Sequence, residues 1–382
     1  MDEFAKSNTS ELLPERARYR RIAHSLREAI VNGLYQPGDH LPTEMELART
    51  HAVSRVTAAA ALTELAHAGL VTRTPRLGTV VRPGAQYARD SSRRLIAWIL
   101  PNVGQTYELG MLRGIERGAR QAGFGLLIAI SGFSHEEEGR AIRDAVASGA
   151  GGIVLFLQDG ESYNAEVLRL VLGGYPLVLV DRYLRGVKCA IVSSDNVGGS
   201  AMLVQELLDA GHRHICVATL PPSDTSAIED RMRGYVQALT AAGAPVDYSL
   251  HYVASDVPTG TTEWEPTPEA VDHFVEFLRK RTHVTAIYAT NASLGLLALR
   301  TVERLGLRIP DQLSVVCIDP VEAIPLYLRP LTTAAQQDEV IGITAIQLLQ
   351  EALAGKPPRT VLLPMHLRRA GSVGPPAPRT PR

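Results

Sequence analysis

Cysteine is scarce in this chain of 382 residues, which contains only Cys189, Cys216 and Cys317. The three are far apart and lack the short spacings of metal-binding motifs, so we expect buried, reduced thiols and no metal site. The sequence also has no apolar run long enough to span a bilayer, and residues 1–20 lack the apolar core of a signal peptide. These absences predict a soluble protein of the cytoplasm.

Acidic and basic residues nearly balance over the whole chain, but they are unevenly distributed along it. The formal net charge is −1, whereas residues 15–94 contain thirteen arginines and seven acidic residues, a surplus of six positive charges. The rest of the chain therefore carries a surplus of seven negative charges. A basic N-terminal segment on an otherwise acidic chain indicates a polyanionic partner for that segment alone. The length predicts two or three domains.

The basic segment has the pattern of three short helices followed by a β-hairpin. Thr43 is placed to cap the second helix, with Glu46 three residues later completing a capping box. Ser54 is placed to cap the third helix, and Gly69 ends it. The predicted elements cover about 16–32, 43–51, 54–68, 70–74 and 79–82. This order predicts a small α+β winged helix, preceded by a disordered tail at residues 1–14.

The chain changes character after residues 83–94, which form a polar linker without apolar periodicity. Apolar runs and helical patterns alternate from Leu95 onwards, and the pattern restarts after Asp195. Such alternation predicts parallel sheets covered by helices, so the chain is α/β with two similar lobes and a cleft between them. Residues 373–382 are rich in proline and arginine and are predicted to be disordered.

Residues 19–82 resemble the GntR-type winged helix-turn-helix across the whole domain and without gaps. The motifs that carry the resemblance are Leu41-Pro42-Thr43-Glu44, Leu47-Ala48, Val53-Ser54-Arg55 with Thr57, Gly69-Leu70 and Gly78-Thr79. The resemblance implies binding to double-stranded DNA, with the third helix entering the major groove by its first turn. It also assigns residues 15–82 to the DNA-binding domain.

The resemblance and the residue chemistry together give a set of candidate DNA contacts. Arginine can fork onto a guanine edge or clamp a phosphate, and hydroxyl groups at a helix start can bond phosphate. The candidates are Thr43, Ser54, Arg55, Thr57, Arg73, Arg76 and Gly78, the last allowing the wing to approach DNA closely. The family usually has basic residues at the positions of Met45 and Ala59, so the operator is expected to differ. A winged helix used for protein contacts is the alternative.

Residues 95–372 resemble the effector domain of LacI-type repressors, which is related to periplasmic sugar-binding proteins. The resemblance is carried by Gly211-His212-Arg213-His214-Ile215, Arg231-Met232-Arg233-Gly234-Tyr235, Thr290-Asn291, Ile309-Pro310-Asp311-Gln312-Leu313 and Pro330-Leu331-Thr332-Thr333. It implies a two-lobed sensing domain, with lobe one at about 95–194 and 338–355 and lobe two at about 195–333 and 357–372. The whole chain resembles arabinose-type repressors, which join an N-terminal GntR-type domain to a LacI-type effector domain.

The same resemblance implies a ligand site between the lobes. Its candidate residues are Arg231, Asn291, Asp319, Tyr107, Arg182 and Gln336, which offer planar donors, hydroxyl acceptors and an aromatic packing surface. Arg182 could instead tie the cleft wall. Ala292 and Pro320 stand where relatives commonly have polar residues, which removes up to two acceptors from the cleft. A sugar, sugar acid or other polyol is the expected ligand class, with no cofactor.

The predicted mechanism is a homodimer on a palindromic operator, controlled by the ligand. Ligand closes the cleft and rotates the lobes about crossovers near Ser194, Ala334 and Lys356, which releases repression. One alternative is a winged helix fused to a cofactor-dependent enzyme, which would need a Schiff-base lysine. Beyond Lys6, only Lys188, Lys280 and Lys356 are available, and none lies in a cofactor motif. The other alternative is a solute-binding protein without regulatory DNA binding.

Overall fold

The structure is a computed structural model, and it divides into two compact units, Met1–Arg93 and Arg94–Arg382. The described residues are 15–31, 33–67, 69–74, 78–82, 95–104, 106–158, 164–221, 225–255, 266–321 and 330–377. Among them, no helix is long and apolar enough to cross a membrane. The predicted tail at 1–14, the linker at 83–94 and residues 378–382 lie outside the described residues.

The first unit is the predicted winged helix. Its elements are α1 (Glu15–Val31), α2 (Glu44–Thr50), α3 (Arg55–His67), β1 (Val71–Thr74) and β2 (Gly78–Val81), with β1 and β2 antiparallel. Thr43 begins α2 through the predicted capping box, in which Glu46 N–H donates to Thr43 Oγ1 and Thr43 N–H donates to the Glu46 carboxylate. Apolar side chains of the three helices form one core that includes Ile22, Leu47 and Leu62.

The second unit contains two six-stranded sheets, the first of which forms lobe one. Its strands are β3 (Leu95–Leu100), β4 (Gly125–Ile130), β5 (Ile153–Phe156), β6 (Leu177–Val180), β7 (Ala190–Ser194) and β13 (Thr360–Leu363). They are all parallel, in the order β13-β7-β6-β5-β3-β4. The helices of this lobe are α4 (Thr106–Gln121), α5 (His135–Ala147), α6 (Ala165–Leu172) and α11 (Asp338–Leu353). Short, almost wholly apolar strands such as β5 suit burial on both faces.

Lobe two repeats this plan with the second sheet. Its strands are β8 (Ile215–Thr219), β9 (His251–Val253), β10 (Ala286–Ala289), β11 (Ser314–Ile318), β12 (Thr332–Ala335) and β14 (His366–Arg368). The order is β14-β12-β11-β10-β8-β9, and only β14 is antiparallel to its neighbour. The helices are α7 (Asn196–Asp209), α8 (Ser226–Ala241), α9 (Pro268–Arg279) and α10 (Ala292–Arg304). A 3₁₀ turn, Tyr248–Leu250, directly precedes β9.

The assignment of residues 357–372 to lobe two was partly wrong. β13 lies in the first sheet, where it pairs in parallel with β7, and Ile191 N–H donates to Arg359 O at 3.1 Å. The third crossover therefore lies between Leu363 and His366, after β13, and not near Lys356. The apolar residues of β13 can pair with either sheet, so composition alone did not decide the lobe.

All three crossovers leave the carboxyl ends of strands. β7 is followed by α7 in lobe two, and β12 is followed by α11, which packs on α4 in lobe one. β13 is followed by β14, whose His366 pairs with Ala335 at the end of β12. The carboxyl ends of the two sheets therefore meet at the crossovers, where open α/β sheets bind their ligands.

Glycines hold the crossover helices tightly against their neighbours in both lobes. In lobe one, a Cβ on Gly114 of α4 would overlap the backbone oxygen of Glu339 in α11. In lobe two, a Cβ on Gly234 of α8 would overlap the backbone oxygen of Val197 in α7. Each glycine is the ninth residue of its helix, and each partner is the second residue of its own. The crossover helix of each lobe is thus packed in the same way against its neighbouring helix.

The predicted disorder of residues 373–382 was also wrong for its first part. Ser372 is fully buried, and its hydroxyl donates to Val315 O at 2.7 Å. Gly374 N–H donates to Ser314 Oγ at 3.0 Å, and Gly374 O accepts from the ring of His212 at 2.9 Å. These hydrogen bonds hold Ser372 and Gly374 on lobe two, although the composition of the segment is typical of a loop.

Candidate functional site

Two aspartates occupy the same place in the two lobes. Asp181 directly follows β6 and Asp319 directly follows β11, and both have the left-handed φ of 65°. Asp181 N–H donates to Val192 O at 3.0 Å, and Asp319 N–H donates to Ala334 O at 3.1 Å. These turns place both carboxylates at the cleft, near enough that the charge of Asp181 raises the pKa of Asp319. The positive φ is costly for a residue other than glycine, and such strain often marks a functional position.

Arg231 on α8 lies beside these carboxylates and is only 6% exposed. Its Nε donates to Asn196 Oδ1 at 2.8 Å, and its Nη1 donates to Thr290 O at 2.8 Å. These two bonds fix the plane of the guanidinium and leave Nη2 as the donor that can reach a ligand. The charge of Arg231 also lowers the pKa of Asp319, partly offsetting the burial that raises it.

Asp319 and Gln336 are in direct contact. Gln336 donates to Asp319 through its backbone N–H at 3.0 Å and through its side-chain Nε2 at 2.6 Å. Burial is the largest effect on the carboxyl group of Asp319 and raises its pKa above the ordinary value. Since Gln336 lies between β12 and α11, the contact links the ligand site to a crossover.

Tyr107 joins the same cluster from lobe one. Its hydroxyl donates to Asp181 Oδ1 at 2.7 Å, and its ring meets Phe156 edge to face at 6.4 Å between centroids. Burial raises the pKa of Tyr107 well above its ordinary value, and the charges of Asp181 and Asp319 raise it further. Asp181 was missed as a site residue, although the sequence places an aspartate directly after a buried strand.

Two predicted ligand residues have structural partners instead. Arg182 donates through Nη1 to Leu157 O at 3.1 Å and to Gln158 O, and its guanidinium lies 5.1 Å from the centre of the Phe156 ring. It therefore ties the cleft wall in this structure. The Oδ1 of Asn291 caps α10 by accepting from Leu294 N–H at 2.9 Å, which leaves its amide nitrogen as the group that can meet a ligand.

Three further polar atoms are buried at strand ends and have no hydrogen-bond partner among the described residues. They are Ser194 Oγ at the end of β7, Thr290 Oγ1 after β10 and Gln336 Oε1 after β12. Buried polar atoms are nearly always paired, so a group left unpaired in a cleft indicates where a polar ligand or water bonds. No sequence motif singled out Ser194 or Thr290 for this role.

The two lobes are joined beside the cleft by an interlobe latch, formed by Tyr183 and Arg185 of lobe one and by Ser226, Glu229 and Asp230 of α8. Tyr183 N–H donates to Ser226 Oγ at 3.0 Å, and Tyr183 OH lies 3.2 Å from both carboxylate oxygens of Asp230. Arg185 pairs with Glu229. The latch holds the loop after β6 against the helix that carries Arg231.

In the first unit, Glu44 organises the basic groups of the predicted DNA-binding surface. Its carboxylate accepts from Arg55 Nε at 2.9 Å and lies 2.5 Å from Arg73 Nη2. The hydrogen bond from Arg55 and the charges of both arginines lower the pKa of Glu44. Arg55 starts α3, Arg73 lies in β1, and Glu44 starts α2, so one carboxylate connects the third helix to the wing. The sequence motif that contains Glu44 gave no sign of this role.

The remaining DNA candidates differ in accessibility. The side chain of Arg55 is 71% exposed, whereas Thr57 is only 5% exposed and its hydroxyl lies 2.7 Å from Ser54 Oγ. The side chain of Thr57 therefore faces the core and bonds Ser54 at the start of α3. Thr43 caps α2. Gly78, the first residue of β2, has a φ of 90°, a conformation that favours glycine. Arg76 lies outside the described residues.

Comparison with known proteins gives matches to both units. Residues 18–81 match the model of the bacterial regulatory proteins of the gntR family, and residues 204–373 match the model of the periplasmic binding protein-like domain. The arabinose metabolism transcriptional repressor of Geobacillus stearothermophilus is 26% identical over 339 residues, covering 87% of this chain and 90% of the relative. The HTH-type transcriptional regulator CelR of Thermobifida fusca is 27% identical over 269 residues, covering 69% and 75%.

A solved structure described as a transcriptional regulator CelR–cellobiose complex has the same fold. It superposes with a TM-score of 0.63 at 24% identity and covers 87% of this chain and 100% of that one. The sequence relatives and the two family matches agree with the order of the two units in the structure. The chain therefore joins a GntR-type winged helix-turn-helix to a periplasmic-binding-protein-like effector domain and is a ligand-controlled, DNA-binding transcriptional regulator.

Proposed function

We propose that the regulator is a repressor whose ligand is a sugar or a closely related polyhydroxyl compound bound between the lobes. The observation that carries this proposal is the cluster of Asp181, Asp319 and Arg231 at the carboxyl ends of the strands. Carboxylates accept hydrogen bonds from pairs of hydroxyl groups, while a fixed guanidinium donates to ring and hydroxyl oxygens. The unpaired atoms of Ser194, Thr290 and Gln336 add further positions for hydroxyl groups.

The relatives support the same ligand class. One is named for arabinose metabolism, and one related structure contains cellobiose. A sugar acid also fits, because Nη2 of Arg231 can donate to a carboxylate as well as to a hydroxyl group. A strongly apolar ligand does not fit a site whose principal groups are two carboxylates and a guanidinium.

The control of DNA binding would follow from lobe movement. Gln336 connects Asp319 to the crossover before α11, so hydroxyl groups that bond Asp319 compete directly with a crossover contact. A ligand that binds one lobe arrangement better shifts the population towards that arrangement. In the proposed mechanism the shift changes the spacing of two DNA-binding domains, each spanning residues 15–82 and joined through 83–94.

Two such domains require a homodimer. Edge strand β4 of lobe one pairs only with β3 among the described residues and exposes two large apolar side chains, Ile128 and Ile130. A second copy of the chain that covers this edge would bring two winged helices onto a palindromic operator. The molar mass of the full chain in solution tests the pairing, and Ile130→Lys should shift it towards monomer.

The ligand class is tested by thermal unfolding of the full chain against sugars, sugar acids and polyols. A ligand present at about 100 times its dissociation constant stabilises the folded state by about 2.7 kcal/mol, which is readily detected as a rise in Tm. Arg231→Ala and the milder Arg231→Lys should abolish the rise, whereas Arg304→Ala should retain it, because Arg304 is exposed and pairs with the exposed Asp272 of α9. If no compound in these classes raises Tm, the proposed ligand class is wrong.

A further inference from the structure

The outward face of the first two turns of α3 is apolar beyond the first residue. Val56 is 77% exposed, and Ala59 and Ala60 follow it at the spacing that places residues on one face of a helix. Thr63 is one turn further along, but its hydroxyl already donates to Ala59 O at 2.8 Å and accepts from Arg73 Nη1 at 2.6 Å. From Val56 to Thr63 the face therefore presents methyl groups and no uncommitted side-chain donor or acceptor, and Glu64 is the next polar residue along the helix.

A second exposed apolar side chain belongs to α2, the helix that packs beside α3. Met45, the second residue of α2, is 69% exposed. The ion pair between Glu44 and Arg55 joins the first residues of α2 and α3 at 2.9 Å. Met45 and Val56 are the next residues of these two helices, so the ion pair holds together the two first turns that carry them. The apolar methyl surface formed by Met45, Val56, Ala59 and Ala60 is thus bordered by the exposed guanidinium of Arg55.

One chemical group in the DNA major groove matches this apolar methyl surface. Each base pair presents hydrogen-bonding groups there, and thymine alone adds an apolar 5-methyl group, which alanine and other methyl-bearing side chains contact. The arginines at the border supply the positive charge that a phosphate backbone requires. A polar base edge gains nothing from this surface because it would lose water without gaining a hydrogen bond.

We propose that this regulator recognises its operator through thymine 5-methyl groups, with Val56 and Met45 as the principal contacts and Arg55 at the adjoining base or phosphate. The inference rests on the proposed DNA-binding role of α3. It adds that each half-site must contain thymine. It assigns a role to Met45 and Ala59, two apolar residues in the predicted DNA-binding unit.

The test begins with selection of binding duplexes from a random pool by the full chain. Each thymine of the selected half-site is then replaced by deoxyuridine, which removes only the methyl group. One methyl group contributes about 0.8 kcal/mol when buried, so one or two replacements should each weaken binding about fourfold. Val56→Ser should weaken binding to the thymine duplex by a similar factor and bind the thymine and deoxyuridine duplexes almost equally.

Leu34→Ser is the matched control. Leu34 is 74% exposed in the same unit but follows α1, away from α3 in sequence, so its loss should leave the preference for thymine unchanged. If the selected duplex binds tightly and no deoxyuridine replacement changes its affinity, the methyl proposal is overturned while DNA binding stands. If no duplex is enriched, the proposed DNA-binding function fails together with it.

Discussion

Asp181 and Asp319 are equivalent residues of two repeated lobes, each with a φ of 65° directly after the third strand from the crossover edge of its sheet. The repeat brings two carboxylates to one cleft, although like charges in a buried site repel each other. Arg231 opposes that repulsion by lowering the pKa of Asp319. Its counterpart in lobe one, the sixth residue of α4, is the buried Met111. The cation nearest Asp181 in lobe one is instead Arg182, whose Nε lies 3.5 Å from Asp181 Oδ2.

The raised pKa of Asp319 predicts opposite pH effects on ligand affinity and on stability. As pH falls through the raised pKa, Asp319 takes up a proton and loses its capacity to accept from two hydroxyl groups, so ligand affinity falls. The folded protein binds this proton more tightly than the unfolded chain, so the contribution of Asp319 to stability increases as pH falls through the same range. Titration calorimetry and denaturant unfolding between the ordinary aspartate pKa and neutrality measure both effects.

Asp319→Asn is the control for these pH effects. The amide cannot titrate, and Gln336 can turn its side chain so that Oε1, unpaired in this structure, accepts from the new amide. The variant should fold and lose both pH effects attributed to Asp319. Equal pH profiles for the variant and the original chain would contradict the role given to Asp319.

The helix pairs at the crossovers should not tolerate a single added methyl group. Gly114→Ala and Gly234→Ala each place a Cβ against a backbone oxygen that cannot move without shifting a helix. Overpacking of this kind costs about 1–3 kcal/mol, which urea unfolding would detect. Gly139→Ala in α5 is the matched control, because its Cβ would meet only ordinary contacts at 3.5 Å. It should stabilise the chain by about 0.5–1 kcal/mol through helix propensity.

Removing the charge of Glu44 should lower discrimination between operator and random DNA. Glu44→Gln frees the guanidinium groups of Arg55 and Arg73 from a shared carboxylate and removes a negative charge from the DNA-binding surface. Affinity for random duplex DNA should therefore rise a few-fold, while the ratio of specific to non-specific affinity falls. Anisotropy titrations at one salt concentration measure both. A variant with an unchanged ratio would show that Glu44 does not position these arginines on DNA.

The interlobe latch should contribute to ligand binding without touching the ligand. Tyr183→Phe removes the hydroxyl group that donates to Asp230 but retains the ring. Because that bond joins the lobes, its loss should favour open forms and weaken ligand binding several-fold, with a small change in Tm. Tyr248→Phe, at an exposed tyrosine of lobe two, is the control and should leave affinity unchanged. Equal affinity of Tyr183→Phe and the original chain would exclude a role for the latch.

Local signals in the sequence predicted the winged helix and the two α/β lobes well. Thr43, Glu46 and Ser54 act within three residues along the chain, so their capping bonds follow from sequence order alone. The alternation of apolar strands and helices likewise predicted the two sheets. The lobe of β13 could not be predicted in this way, because an apolar strand of four residues pairs equally well with either sheet.

The candidate site was predictable by residue type but not by partner. Arg231, Asp319, Gln336 and Tyr107 were all expected at the cleft, and the structure brings them together. Their bonds to Asn196, Thr290 and Asp181 join positions far apart in the sequence, so no local pattern reveals them. The burial of Thr57 could not be predicted, because it depends on which side of α3 packs against the core.

Coupling between the cleft and DNA is tested most directly by the affinity of the full chain for a selected operator duplex, with and without a saturating sugar that raises its Tm. Allosteric coupling of about 1–3 kcal/mol predicts a change of about 5–150-fold for the original chain. Arg231→Ala and Arg231→Lys should bind the operator and show no change when the sugar is added. Equal operator affinity with and without the sugar in the original chain would contradict the account, as would a full response in the Arg231 variants.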